Sequence, residues 1–163
     1  MFERLMQVNA TSGESQEVLT ARKVAAIVAT LTDDTTGFSK FDHRTLPASF
    51  PTKLIGYMHG FSATICAAWR VDKSEVSSAA TRFAASCIFP FIEAHDIDRI
   101  VDQIDSATEF SVGREAGLAD GESYVTTGRR GTALIDLLMD QRGGEATPES
   151  TLSQRESCTN VSA

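Results

Sequence analysis

The 163 residues carry a formal net charge of −7, with 42% apolar and 23% charged side chains and three cysteines. Those proportions fit one globular domain with tails, long enough to bury a core without disulfides or a structural metal. They exclude a generic binder of nucleic-acid phosphates, which needs the opposite sign, and a membrane span, because the longest uncharged run, Leu54 to Trp69, is short and holds polar residues.

The start of the chain has charges at Glu3 and Arg4 and lacks the apolar run of a secretion signal. Cys66, Cys87 and Cys158 form neither a CxxC pair nor an even disulfide framework, so a reducing compartment, the cytoplasm, is expected. Residues 1–13 read as an N-terminal arm whose Phe2, Leu5 and Met6 could dock on the domain. Thr11 and Glu14 stand at capping-box spacing and open a first helix over about 14–32. Its broad face is Ala21, Val24, Ala25, Ile27, Val28 and Leu31. The short polar side chains of 32–36 and Gly37 are expected to stop it, and residues 38–49 read as an ordered connection.

Residues 50–70 carry the most distinctive pattern. Leu54, Met58, Phe61, Ile65 and Trp69 fall on one side of a helix, and Gly56, Gly60, Ala63 and Ala67 on the other. Two opposed apolar faces predict a central helix packed on both sides. Gly56, Gly60 and Thr64, at i, i+4 and i+8, let another backbone approach closely, and Ala79, Ala80, Ala84 and Ala85 of the next helix are the expected partners. A break at Val71-Asp72, with Asp72 and Glu75 at capping-box spacing, starts a third helix over about 73–92. It turns Val76, Ala80, Phe83, Ala84 and Cys87 inward and Ser78, Thr81 and Arg82 outward, and Pro90 forces a kink or an end near 86–90.

Asp96 is expected to cap a fourth helix over about 97–112. Beyond it, Gly113, Gly117, Gly121, Gly128 and Gly131 read as a loosened stretch with a short turn at 114–119. A last helix over about 132–142 buries Leu134, Leu137 and Leu138, and 143–163 reads as a disordered tail. The expected fold is therefore all-α: an N-terminal arm, a single domain over 14–142 of four to five helices around the 50–70 helix, and the tail.

Four constellations could carry function. Residues 93–122 hold nine acids against Arg99 and Arg114, and so the whole net charge of −7. Within them Asp98, Asp102, Asp105 and Glu109 form a stripe of like charges at helical spacing. Like charges at i, i+4 weaken an isolated helix, which makes the stripe a candidate contact for a protein with a basic surface. The small face around Gly56, His59 and Gly60 is a candidate ligand pocket. His59, Ser62 and Cys66 share a flank, but two turns rise about 10 Å, too far for His59 to activate Cys66 directly. Arg129 and Arg130, just before a helix start, are candidate anion ligands. Glu93, His95, Asp96 and Asp98 lack the second half of a bundle metal site, so no catalytic residue, metal or cofactor is assigned.

The reading favoured is a small cytoplasmic accessory or regulatory protein that binds another protein through the acidic stripe, with a homodimer as one form of that contact. The rivals are a bundle enzyme or ligand-binding protein with a pocket at Gly56 and Gly60, and an anion or nucleotide sensor using Arg129 and Arg130. No contact with nucleic acid or membrane is expected.

Overall fold

Among the described residues the chain forms six helices and no strand: α1 Gln16–Phe38, α2 Ser49–Ala68, α3 Ser74–Ile88, α4 Ala94–Asp102, α5 Thr108–Thr127 and α6 Ala133–Gly143. The computed structural model describes residues 15–38, 49–71, 73–102 and 108–143. The N-terminal arm, most of the 38–49 connection, Cys158 and the C-terminal tail lie outside them. The architecture is the expected all-α single domain, with α2 at its centre, touching α1, α3, α4 and α5.

Helix α1 starts later and runs further than its sequence suggests. The Ser15 hydroxyl accepts from the Val18 N–H at 3.4 Å, which places the cap at Ser15; Thr11 and Glu14 lie outside the described residues. The expected stop at 32–37 is helical, because tertiary burial overrides the propensity of short polar side chains. Thr32, Thr35 and Thr36 are all buried. Thr35 Oγ1 donates to the Leu31 carbonyl at 2.7 Å and Thr36 Oγ1 to that of Asp33 at 3.1 Å, so these hydroxyls bond back along the helix instead of breaking it. At Gly37 a Cβ would meet no other atom within 4 Å. Gly37→Ala is expected to stabilise the protein by about 0.5–1 kcal/mol, seen as a higher urea midpoint at unchanged slope.

Both faces of α2 are covered through Gly60 and Ile65, while Ala63 of the small face is half-buried and Ala67 exposed. Leu54, Met58, Phe61 and Ile65 are at most 1% exposed. Trp69 departs from this: it lies beyond the helix end and is 46% exposed. There Arg70 takes a positive φ of 57°, while the N–H groups of Arg70 and Val71 donate to the carbonyls of Ala67 at 3.0 Å and Cys66 at 2.9 Å. This is a Schellman closure with arginine in the place usually held by glycine.

The small face has a different partner from the one expected. It packs against α5, not against the alanines of α3. A Cβ on Gly56 would collide with the backbone of Phe110, one on Gly60 with that of Arg114, one on Gly113 with that of Lys53 and one on Gly117 with that of Tyr57. Gly121 closes the row against the side chain of Thr64. Residue numbers rise together on both sides, so α2 and α5 run parallel. The glycines of 113–121 are therefore not a loosened stretch. Spaced by four, they line one face of a continuous helix and form the second half of the seam.

Helix α3 pairs with α1, and the Lys73–Glu17 ion pair joins their starts. Its N-cap is Lys73, with no side-chain cap bond; Asp72 lies outside the described residues. Thr81, expected outside, is fully buried, and its hydroxyl donates to the Ser77 carbonyl at 2.8 Å. The helix ends at Ile88, before Pro90, as the proline requires. The expected 97–112 helix is two helices: α4 ends at Asp102, and Glu109 belongs to α5. Asp96 sits inside the first turn of α4 rather than capping it.

Candidate functional site

Among the described residues a buried polar cluster lies where α1, α2, α5 and α6 meet. Asp120, on α5, is 1% exposed. Its Oδ2 accepts from the Tyr57 hydroxyl of α2 at 2.9 Å and from the Leu134 N–H at 3.1 Å, and its Oδ1 accepts from the Ala133 N–H at 3.0 Å. Those amides open α6, whose unpaired donors and dipole favour a negative charge. Gly131 leaves room for the carboxylate: a Cβ there would press on Asp120 Oδ1. Burial first, then the charge and hydrogen bond of Asp120, push the Tyr57 hydroxyl well above its usual range, against the pull of Arg130.

This junction replaces the anion site expected at Arg129 and Arg130. The helix start already holds an anion, and it is Asp120. Arg130 points inward, its Nη1 donating to the Leu31 carbonyl of α1 at 2.7 Å, while its Nε is buried with no acceptor. Arg129 is exposed, and its carbonyl accepts from Ser123 Oγ at 3.2 Å. Gly128 makes the turn, with φ 72° and its N–H donating to the Tyr124 carbonyl at 2.8 Å.

The pocket expected at Gly56, His59 and Gly60 is filled by protein: the backbone of α5 occupies the space beside both glycines. His59 is 7% exposed and its ring lies 5.6 Å from that of Phe110. Its Nδ1 and the Ser62 hydroxyl are both buried without a hydrogen-bond partner, so the two are not bonded as base and nucleophile. Burial raises the Cys66 and Cys87 thiols, which disfavours the reactive thiolate. Among the described residues no three His, Cys, Asp or Glu side chains are grouped to hold a metal ion.

Burial, then the charges of Arg114 and Arg82, lower His59 to about 4. An unfolded chain binds its proton near 6.5, so between these values the unfolded state holds more protons and stability rises with pH. The contribution is complete above pH 6.5. It is lost as pH falls towards 4, by up to about 3 kcal/mol. Urea midpoints measured from pH 7 to 4 should fall steeply in the native chain and less in His59→Gln. Equal slopes would show that His59 is not the group responsible.

Three acids of the predicted stripe, Asp98, Asp102 and Glu109, sit on two helices and are engaged within the fold. Arg82 of α3 bridges Asp98 and Asp102 of α4, with Nε–Oδ1 at 2.8 Å and Nη2–Oδ1 at 2.5 Å. Glu109 of α5 pairs with Lys53 of α2 at 3.0 Å. Asp105 lies outside the described residues. Nearby, Arg99 and His95 approach Asp96 at 2.8 Å and 3.4 Å, and His95 also approaches Glu93 at 3.2 Å.

Among the described residues the exposed large apolar side chains are Trp69, Phe91, Val112 and Val125, and the pair on the outer side of α6. Leu134 and Leu138 are buried and Leu137 half-buried, but Ile135 is 41% and Met139 57% exposed, one turn apart. Exposed Asp136 and Asp140 stand beside them with the same spacing. Reading the leucines of this helix as core overlooks that face. The run Leu134-Ile135-Asp136-Leu137-Leu138-Met139 is wider than one buried stripe, and that width is the signal the sequence offers.

The chain matches no known protein family, and no curated protein or solved structure shows significant similarity to it. Among the described residues no helix is long and apolar enough to cross a membrane.

Proposed function

We propose that this protein is a small accessory module that acts by binding another protein, and that the outer side of α6 is its contact ridge. The observation that carries the reading is the exposed pair Ile135 and Met139 on a helix whose opposite side is already seated in the core. Large apolar side chains grouped on an exposed helix mark contact surfaces more often than scattered ones do. Asp136 and Asp140 give the ridge an acidic flank, so the complementary partner offers an apolar groove bordered by lysine or arginine. The α4 acids support the reading less well, because Arg82 already bridges Asp98 and Asp102 and offsets one of their two charges. A two-fold pairing of α6 with itself would bring Asp136 and Asp140 of both copies together, which favours a different protein over a homodimer. The free thiols of Cys66 and Cys87 support a reducing compartment, the cytoplasm.

The test is capture from a host lysate with mass-spectrometric identification. Ile135→Ser with Met139→Ser should abolish recovery of the specific partner, and Asp136→Lys with Asp140→Lys should weaken it. Both double variants change exposed positions and should keep stability within about 1 kcal/mol of the native chain. Recovery of the same proteins at the same level by both variants would remove α6 as the contact. Partner loss only on charge reversal at Asp98 and Asp102 would return the surface to α4.

A further inference from the structure

We propose that α6 is a strap that opens from the body as one unit, with the Asp120 carboxylate as its clasp. Among the described residues the polar attachments of α6 are few and sit at its start. Its first two amides bond to Asp120, and the residue before the turn into it, Arg130, reaches the Leu31 carbonyl. Beyond that end it is held by Leu134 and Leu138, with Leu137 partly covered. Its main contacts are with α5 and α1, whereas the seam between α2 and α5 is made by glycines and backbone that α6 does not supply. The body therefore keeps its central contact when α6 leaves.

The connection is built to turn. Gly128 holds a backbone conformation natural to glycine, and Gly131 lies against the clasp itself. The closed state also leaves a polar group unsatisfied: Arg130 Nε is buried with no acceptor, and opening gives it water. Asp120 and Tyr57 likewise exchange their mutual bond for hydration. A segment with few buried apolar contacts and one cooperative polar anchor is the kind that opens below the global unfolding limit. Opening adds Leu134 and Leu138 to Ile135 and Met139, turning a helix with a two-residue exposed ridge into one that is apolar on most sides. The strap stands whether or not the closed ridge is a contact surface.

Native-state hydrogen exchange of the full chain across a series of low urea concentrations tests it. The amides of residues 136–140 should share one opening equilibrium with a common urea dependence, smaller than that of the α2 and α5 amides. Two patterns would overturn the strap. One is exchange of α6 at the global limit shared with α2 and α5. The other is a graded set of rates without urea dependence, which is fraying. Asp120→Asn keeps the shape but loses one acceptor oxygen of the clasp. That clasp exists in the closed state and in neither the opened nor the unfolded chain, so exchange of α6 and of the α2 and α5 amides should speed by the same factor, about tenfold, with the gap between the two openings kept. Leu138→Ala, which loosens α6 without touching the clasp, should give the same pattern and serves if the asparagine variant does not fold. Closure of the gap between the α6 opening and that of the α2 and α5 amides in both variants would also overturn it.

Discussion

Gly117→Ala is expected to destabilise the protein by about 3 kcal/mol, lowering the thermal midpoint by roughly 6–12 °C. A Cβ at that position would sit 2.8 Å from the carbonyl carbon of Tyr57 and 2.9 Å from the nitrogen of Phe61, and would overlap the Tyr57 carbonyl oxygen. None of these is the end of a flexible side chain. Relief requires α2 and α5 to separate, and the separation spreads to Gly113, Gly60 and Gly56, which sit in the same row. Alanine itself favours a helix by about 1 kcal/mol over glycine, so the measured loss is what remains after that gain. Gly121→Ala provides the graded comparison. Its obstacle at 2.8 Å is the Thr64 Cβ, with Oγ1 at 3.0 Å and Cγ2 at 3.2 Å. Rotation relieves only the outer two contacts, so its loss should be about 2 kcal/mol, smaller than that of Gly117→Ala because no carbonyl oxygen is overlapped. A Gly117→Ala protein as stable as the native chain would mean that the helices do not meet backbone to backbone.

The seam also shows what the sequence can and cannot convey. The large face of α2 is legible because Leu54, Met58, Phe61 and Ile65 repeat at helical spacing, and burial follows from that period. The small face is legible as a surface of close approach, but its partner is not. Gly113, Gly117 and Gly121 repeat the spacing of Gly56, Gly60 and Thr64, yet glycine has a poor intrinsic helix propensity, and taken locally it signals a loop. Only the pairing of two such rows makes either of them stable. The same limit explains α1, where Thr32, Thr35 and Thr36 are poor helix formers that the core retains by burying them.

The polar chemistry is legible in part. The arginines of 128–131 precede the start of α6, whose first amides are taken by the Asp120 carboxylate. Asp120 precedes that loop, and in the sequence it is only one charge among nine in an acidic segment. Nothing in sequence spacing distinguishes a buried carboxylate from a solvated one. The acidic stripe fails for a related reason: its period runs through 98–109, whereas the helix ends at Asp102. Arg82, sixteen positions before Asp98, supplies the countercharge from a different helix.

Asp120→Ala is expected to lower stability by about 4 kcal/mol, because it strips a buried site of the acceptor for three donors. Tyr57 Oη and the amides of Ala133 and Leu134 are left facing an apolar gap, and α6 loses its cap. Tyr57→Phe removes one donor and leaves the carboxylate its two amide bonds, so it should cost only about 1 kcal/mol. In the double variant the phenol is no longer stranded, and the combined loss should be smaller than the sum by about 1 kcal/mol. Losses within about 1 kcal/mol for Asp120→Ala alone would show that the carboxylate does not hold the junction. The opening of α6 sets a ceiling on all such losses. Once the clasp is weak enough for α6 to leave, its interactions no longer contribute to the body, and further damage to them changes nothing. Adding Leu138→Ala to Asp120→Ala should therefore cost much less than Leu138→Ala does in the native chain, where burying that leucine contributes about 2–3 kcal/mol. Urea midpoints of the four proteins give the result directly. Full additivity would mean that α6 and the α2–α5 body unfold together, with Asp120 tying them into one cooperative unit.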